Sequence, residues 1–412
     1  MAIKFAPSIK TLREASDRLF TPAFYKDFQC IGAECENNCC HHWNVTMDKP
    51  TYQNFKNHGD IKIRQVAKEQ TTSCGPNGFD YRQMKLQPNG DCPFLDEQRL
   101  CYVHKNHSED ILPLICKVYP RDNKLLGNEI YSSLSISCPE AARKILLDPS
   151  SMNIEQSAVT ADSQMPFFAS RGFTGDAPLL QRFKQLAYQC ILAENADTIE
   201  ERLFYLAVLF VMTSECAKQD MDAMLLRFER SLVTGELAKM YQETPVDQNA
   251  QVFVIQKLMY AQGFAAGNEV FLNYKIQAID KIKLTDAYNE TLNQLDLSDY
   301  YARFCQPGYQ KLIDSHGFAF LNLLLHWIYA KPFELTDGPE LFNQFSTFAL
   351  KFFYVRLLCG ILNDDDQQDP GALLVGVIHS ISRKSDHDKY LSKQVYDSLI
   401  EQGLAKPEHI LV

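Results

Sequence analysis

Eight cysteines in the first third of this 412-residue chain carry the side-chain type that binds soft metals. They lie in four short segments, CIGAECENNCC, CPFLDEQRLC, LICKVYPR and SCPEAA. By number they are Cys30, Cys35, Cys39, Cys40, Cys92, Cys101, Cys116 and Cys138. Thiolate is the ligand that structural zinc sites and iron–sulfur clusters use. The pattern predicts that the N-terminal part is built around metal.

Two other uses of cysteine compete with metal binding. Free cysteine is a common small core residue, which suits four that lie singly among apolar residues: Cys190, Cys216, Cys305 and Cys359. Packing does not suit the CENNCC segment, where Glu36, Asn37 and Asn38 separate the thiols. Disulfides or a redox relay are the second alternative. The first twenty residues show no apolar signal-peptide core, so we expect a cytoplasmic protein with reduced thiols.

The spacing of the cysteines leaves the number of metal centres open. It matches neither the paired C-x-x-C array of a zinc ribbon nor a CxxxCxxC loop. The adjacent thiols Cys39 and Cys40 are expected to diverge, so they serve different sites or leave one spare. Eight thiolates suit two four-coordinate sites, or one [4Fe–4S] cluster with supporting cysteines. Three histidines are substitute ligands: His41, His42 and His104. Cys74 lies outside the pattern.

Two regions of different character follow from the distribution of turn residues and apolar periodicity. Residues 1–150 are irregular, with a helix expected over 51–69 and a strand over 130–136. Without a continuous apolar core, this region needs metal for support. Residues 151–176 are expected to be a linker. An α-helical domain over 177–412 follows, with helices expected at 177–194, 198–217, 221–232, 250–264, 268–282, 314–332, 340–362 and 387–403. The predicted fold is mainly α, an irregular cysteine-rich metal-binding region packed on a larger helical domain.

Charge and composition exclude several classes of function. The net charge is −10 and the chain has no lysine–arginine tract, which argues against a nucleic-acid partner. The longest apolar runs are too short or too polar to span a membrane. The chain has no G-x-G sequence, so a glycine-rich cofactor loop of the dinucleotide-binding type is not expected.

The four cysteine segments, in this order, resemble the YkgJ-type eight-cysteine zinc- or iron-chelating family. With its long helical C-terminal part, the chain is similar to the FliB family of flagellin lysine-N-methylases. The resemblance implies S-adenosylmethionine-dependent N-methylation of surface lysines of flagellin, with a [4Fe–4S] cluster near the cofactor site. Without the resemblance, a non-enzymatic zinc- or iron–sulfur-binding interaction or redox module remains the alternative.

Lysine methylation requires a neutral amine, because a protonated amine has no lone pair. At a reference pKa near 10.4, only about 0.1% is neutral at physiological pH, a cost of roughly 4 kcal/mol. An apolar, aromatic-lined channel would lower that cost, and aromatic faces would also attract the sulfonium of the cofactor.

Candidate site residues follow from this chemistry. Tyr119 and Arg121 are the candidate catalytic residues. Trp43, Phe94 and Arg121 are the candidate cofactor-binding residues, with Arg121 pairing with the cofactor carboxylate. Further candidates near the cysteines are Tyr102, Asp96 and Glu97. We expect a direct displacement at the meeting of the two regions, where helical-domain tyrosines such as Tyr301, Tyr309 and Tyr329 flank the amine.

Overall fold

The structure, a computed structural model, describes residues 18–75, 80–126, 129–159, 177–245, 268–281, 305–331, 333, 335, 340–363, 368–385 and 401. The chain divides into two compact units, Met1–Lys144 with Asn153–Gly172, and Ile145–Met152 with Phe173–Val412. A strand at Ile154–Ala158 lies within the predicted linker, and residues 160–176 lie outside the described residues. The predicted boundaries at 150 and 176 stay a prediction.

The first unit combines short helices with two small sheets. The helices and strands up to Ala158 are β1 (Arg18–Pro22), α1 (Ala23–Lys26), β2 (Thr46–Met47), α2 (Lys49–Lys56), α3 (Ile61–Glu69), β3 (Thr71–Ser73), β4 (Arg82–Met84), α4 (Tyr102–Asn106), α5 (Leu114–Val118), β5 (Lys124–Leu126), β6 (Glu129–Tyr131), α6 (Pro139–Leu146) and β7 (Ile154–Ala158). The last two residues of α6 belong to the second unit. One sheet has the order β5-β6-β1-β7, with β1 parallel to β6 and antiparallel to β7. The other has the order β2-β4-β3.

The helix predicted over 51–69 is two helices, because a second capping residue interrupts it. Asp48 precedes α2, and its carboxylate accepts a hydrogen bond from the amide of Thr51 at 2.7 Å. Asp60 precedes α3, and its carboxylate accepts from the amides of Lys62 and Ile63. Both are standard N-caps. The predicted strand over 130–136 is also shorter, since β6 ends at Tyr131.

A continuous hydrophobic core supports the first unit, so the prediction of a coreless region is wrong. Phe55, Ile63 and Val103 are fully buried in this core, and Cys92 and Phe94 belong to it. This core is not visible in the sequence, because its residues come from short elements and loops that share no single hydrophobic period. Cys92 is part of this core, and Cys40 and Cys101 pack against it.

The second unit is helical throughout its described elements, and the mainly α fold class is confirmed. The helices are α7 (Ala177–Ile191), α8 (Ile199–Ser214), α9 (Met221–Thr234), α10 (Glu236–Glu243), α11 (Glu269–Lys281), α12 (Gln306–Ala330), α13 (Glu340–Leu362) and α14 (Pro370–Ser385). The sequence analysis missed α10 and α14. The helix predicted at 250–264 lies outside the described residues, as does that at 387–403 except for residue 401.

Helix α13 is the central core helix of the second unit. In the described part of the chain it alone is long and apolar enough to cross a membrane by length and composition, but 89% of that stretch is buried in the protein. A helix that is apolar on all sides is expected at the centre of a large core. Cys190, Cys305 and Cys359 are buried in this unit as the packing interpretation predicts, whereas Cys216 is only half-buried.

Candidate metal and cofactor site

Backbone pairing joins the CENNCC segment to the segment that carries Cys92. The amide of Cys92 donates to the carbonyl of Cys40 at 2.8 Å, and the amide of His42 donates to the carbonyl of Gly90 at 2.8 Å. Between these bonds, His41 Nδ1 and Asp91 Oδ1 lie 2.8 Å apart. Two cysteines that are distant in sequence are therefore held side by side by main-chain geometry.

The polar spacers of CENNCC order the loop around the thiols. Asn38 Oδ1 accepts a hydrogen bond from the amide of Cys40 at 2.7 Å, and Asn38 Nδ2 donates to the carbonyl of Arg99 at 2.6 Å. Arg99 has a positive φ of 60°, in the tight turn between Cys92 and Cys101. Asparagine suits this position because its short side chain offers both a donor and an acceptor. The sequence analysis did not assign this role to Asn38.

A tight hairpin brings Cys92 and Cys101 to the same place. The amide of Leu95 donates to the carbonyl of Cys92 at 2.9 Å, and that of Tyr102 donates to Phe94 at 2.7 Å. Asp96 closes the turn, because its carboxylate accepts from the amides of Gln98 and Leu100. Asp96 is thus occupied in loop closure rather than facing a cofactor pocket, and Glu97 is exposed.

Two cavities contact all eight predicted cysteines. The first, of about 100 Å³, is lined by Cys39, Cys40, Cys92, Cys101 and Cys116. The second, of about 110 Å³, is lined by Cys30, Cys35, Cys39, Cys40, Cys101 and Cys138. His104 and Tyr119 line both cavities, whereas His41 and His42 line neither. Four separate sequence segments therefore converge on one small region of the first unit.

The thiols differ in acidity because their surroundings differ. Burial raises the pKa of Cys92 to about 11 and that of Cys138 to about 12. A hydrogen bond with Cys40 lowers the pKa of Cys101, and the amides of His104 and Val103 at the start of α4 act in the same direction. Hydrogen bonds with Cys101 and Cys39, together with burial, raise the pKa of Cys40.

The donor set fits zinc or an iron–sulfur cluster. None of the 13 cysteines forms a disulfide, and soft sulfur donors line both cavities. Within the described part of the chain, no group of three Cys, His, Asp or Glu side chains stands close enough together to hold an ion. The thiols thus form the walls of the two cavities.

Three predicted aromatic residues lie at the first cavity. Trp43, Phe94 and Tyr119 all line it, and the rings of Trp43 and Tyr119 meet edge to face at 4.5 Å. The hydroxyl of Tyr119 lies 3.2 Å from Ser137 Oγ, a contact that the sequence analysis missed. Phe94 is also a core residue, 3% exposed and packed on Phe55.

Arg121 lies beside the cavities rather than among their lining residues. Its guanidinium carbon is 5.8 Å from the ring centre of Tyr25 and 5.5 Å from that of Phe28. Phe28 itself lines the second cavity. The Phe28 ring therefore lies between Arg121 and the second cavity. The role of Arg121 toward a cofactor stays a prediction.

The remaining candidates have other partners or positions. The hydroxyl of Tyr102 donates to Asp60 at 2.8 Å, and the residue lines neither cavity. In the second unit, Tyr309 is buried and donates to Glu200 at 2.9 Å, and Tyr329 is buried. Tyr301 lies outside the described residues.

Comparisons with known proteins match both parts of the chain. The profile of the FliB lysine N-methylase C-terminal domain matches residues 188–412. The profile of the CxxCxxCC domain, described as zinc- or iron-chelating, matches residues 29–139. No solved structure matches the chain.

Three curated relatives, all from Salmonella, are similar to the chain. A lysine-N-methylase of Salmonella typhimurium is 26% identical over 91% of this chain and 93% of its own length. A lysine-N-methylase of Salmonella choleraesuis is 27% identical with the same coverage. The flagellar biosynthetic protein FliU of Salmonella muenchen is 37% identical over 32% of this chain and 78% of its own length.

Proposed function

We propose that this chain, which belongs to the FliB lysine N-methylase family, transfers methyl groups from S-adenosylmethionine to surface lysines of flagellin in the cytoplasm. The family makes it a protein-lysine N-methyltransferase with a metal-chelating N-terminal domain. The proposal adds the identity of the methyl donor, the protein substrate and an iron–sulfur cluster, most simply [4Fe–4S], near the cofactor site. A non-enzymatic zinc or redox module would not explain why the chain matches the lysine N-methylase family.

The proposal that a cofactor binds in the first unit rests on the residues that line the first cavity. Five cysteines and the aromatic side chains of Trp43, Phe94 and Tyr119 line the same space. A sulfonium cation is attracted to aromatic faces, and thiolates hold iron. The donor, when bound, supplies an electrophilic methyl group on its sulfonium.

Exclusion of water is the first task that we assign to the cavity lining. Phe94 is buried, and Trp43 packs against the same core. An apolar surrounding disfavours the charged form of an amine, so it raises the neutral fraction of a lysine that enters. The neutral lysine nitrogen would then form a bond to the methyl carbon as the bond from that carbon to the cofactor sulfur breaks. S-adenosylhomocysteine would leave, and the methylated ammonium product would give its proton to solvent.

Orientation is the second task, and we assign it to Tyr119 and Arg121. Tyr119 lines both cavities and is held by Trp43 and Ser137. Arg121 is held against Tyr25 and Phe28 and is proposed to pair with the cofactor carboxylate. Because the amine needs no radical, catalysis on this account comes from positioning and desolvation.

The experiment compares substitutions inside and outside this site. Tyr119→Phe and Arg121→Ala should each lower flagellin methylation roughly 10- to 100-fold while the iron content per chain stays that of the wild type. Tyr102→Phe is the matched control, because the Tyr102 hydroxyl contacts Asp60 away from both cavities. Equal activity of Tyr119→Phe and Tyr102→Phe would refute the assignment. Stoichiometric 5′-deoxyadenosine under reducing conditions would replace displacement with a radical reaction.

A further inference from the structure

A chain of three hydroxyl groups leads away from the cavities of the first unit. Tyr119 lines both cavities, and its hydroxyl oxygen lies 3.2 Å from Ser137 Oγ. Ser137 Oγ in turn lies 2.7 Å from Ser135 Oγ. Ser137 is fully buried, whereas Ser135 is partly exposed. The chain therefore runs from a cavity-lining side chain, through the interior, to a residue that reaches solvent.

Backbone hydrogen bonds fix the positions of these hydroxyls. The amide of Ser135 donates to the carbonyl of Pro120 at 2.7 Å, which ties this serine to the residue after Tyr119. The amide of Cys138 donates to the carbonyl of Ser135 at 3.2 Å and closes a turn that contains Ser137. The main chain therefore holds the three hydroxyls in one row.

The hydrogen-bond partners of Ser137 are unusual for a buried hydroxyl of this chain. Thr71 and Ser151 are also buried, and each donates to a backbone carbonyl. In the described part of the chain, both partners of Ser137 Oγ are hydroxyl groups, and in both contacts either oxygen can be the donor. A carbonyl only accepts a hydrogen bond, whereas a hydroxyl both donates and accepts. The row around Ser137 can therefore pass a proton from one oxygen to the next.

Methylation of a lysine in the first cavity requires an exit for a proton. Lysine arrives mainly as an ammonium ion, and only the neutral amine has a lone pair. The other polar groups at the two cavities are the cysteine thiols, backbone groups and the side chains of Asn37, Asn38, His104, Arg99 and Glu140. An apolar lining disfavours any acceptor that becomes charged beside the amine. A hydroxyl chain moves the positive charge to solvent and leaves every member of the chain neutral.

We propose that Tyr119, Ser137 and Ser135 form the path by which the proton of a lysine ammonium leaves the first cavity. The proposal rests on the proposed function and adds two residues that act through Tyr119. The ammonium gives a proton to the Tyr119 hydroxyl as the phenolic proton passes to Ser137 Oγ. The Ser137 proton passes to Ser135 Oγ, and the Ser135 proton passes to water. The electron pair of the broken N–H bond stays on nitrogen, one hydronium forms, and each hydroxyl ends with one proton.

The test is the rate of methyl transfer to flagellin in a single turnover of the full chain, measured from neutral pH toward about 10.4, the reference pKa of lysine. Ser137→Ala and Ser135→Ala should each slow the transfer by about 100-fold at neutral pH. The deficit should shrink as pH rises, because lysine then arrives neutral and does not need the path. Ser135→Thr keeps the hydroxyl and should recover the rate that Ser135→Ala loses. Thr71→Val is the matched control, because it removes a buried hydroxyl that lines neither cavity.

A deficit of the same size at every pH would show that the serines only position Tyr119, and it would overturn the proton path. Wild-type rates in the alanine variants would overturn it as well. If Ser137→Ala does not fold, as judged by circular dichroism, Ser135→Ala decides alone, because Ser135 is partly exposed. A wild type that transfers no methyl group at any pH would refute the proposed function, and the proton path with it.

Discussion

The amide nitrogen of Cys92 lies 2.8 Å from the carbonyl oxygen of Cys40, in a hydrogen bond that joins two thiol-bearing segments through their backbones. The contact involves no side chain, so it is independent of the protonation or metal loading of the thiols. It also places Cys40 and Cys92 at the edge of the hydrophobic core of the first unit. Folding of the first unit therefore brings these two thiol-bearing segments together.

Gly90 is required beside this contact. It has φ +87°, and a Cβ built there would lie 2.3 Å from the His42 ring. Gly90→Ala should therefore lower the free energy of unfolding by about 1–3 kcal/mol, because the backbone is strained and the ring must move. Urea unfolding of the metal-free protein measures this. Gly59→Ala is the control, since nothing lies within 4 Å of a Cβ there, and equal midpoints for the two variants would contradict the account.

Asp60 gives the first unit an acid-sensitive contribution to stability. Hydrogen bonds, the first from Tyr102, lower its pKa to about 2. A carboxyl whose pKa is lower in the folded state stabilises the fold above its unfolded pKa, near 3.9, and loses this contribution as pH falls toward 2. Asp60→Asn keeps a capping side chain at the start of α3 but removes the charge.

The variant should accordingly be less stable than the wild type at pH 7, and the difference should shrink as pH falls from about 5 to about 2. Thermal unfolding of both proteins across this range measures the effect. A difference that stays constant with pH would show that the charge of Asp60 makes no such contribution.

Gly308 allows helices α12 and α13 to touch backbone to backbone. A Cβ at Gly308 would lie 2.0 Å from the carbonyl oxygen of Gly360, which cannot move as a side chain can. Gly308→Ala should cost about 3 kcal/mol or prevent folding of the second unit. Gly317→Ala, on the same helix, meets only a side-chain atom at 3.8 Å and should change stability by about 1 kcal/mol or less. Far-ultraviolet circular dichroism during heating compares the melting temperatures of the two variants. Similar melting temperatures would contradict the close packing of α12 on α13.

The residue types of the site were readable from the sequence, and its arrangement was not. All eight patterned cysteines line the two cavities. The sequence identified them because polar spacers and their grouping in four short segments distinguish them from core cysteines. The convergence of the cysteine segments depends on the hairpin between Cys92 and Cys101 and on the pairing of Cys40 with Cys92. Neither leaves a periodic signal, since both are made by turns and single backbone bridges.

Helices were predicted where the apolar period was long and unbroken. The α13 stretch was found with its ends because most of its residues are apolar, whereas α14 was missed. The core of the first unit was missed for another reason. Its apolar residues come from elements of only a few residues, so no single window shows a buried face.

The most direct test of the central claim is transfer of a trideuterated methyl group. The pure anaerobic protein is incubated with flagellin and S-adenosylmethionine that carries three deuterons on its methyl group, and flagellin peptides are analysed by mass spectrometry. The account predicts lysine residues that gain the methyl group with all three deuterons, one S-adenosylhomocysteine per transfer, and no gain without the protein. Unmodified flagellin lysines, or methyl groups that have exchanged deuterium, would contradict it.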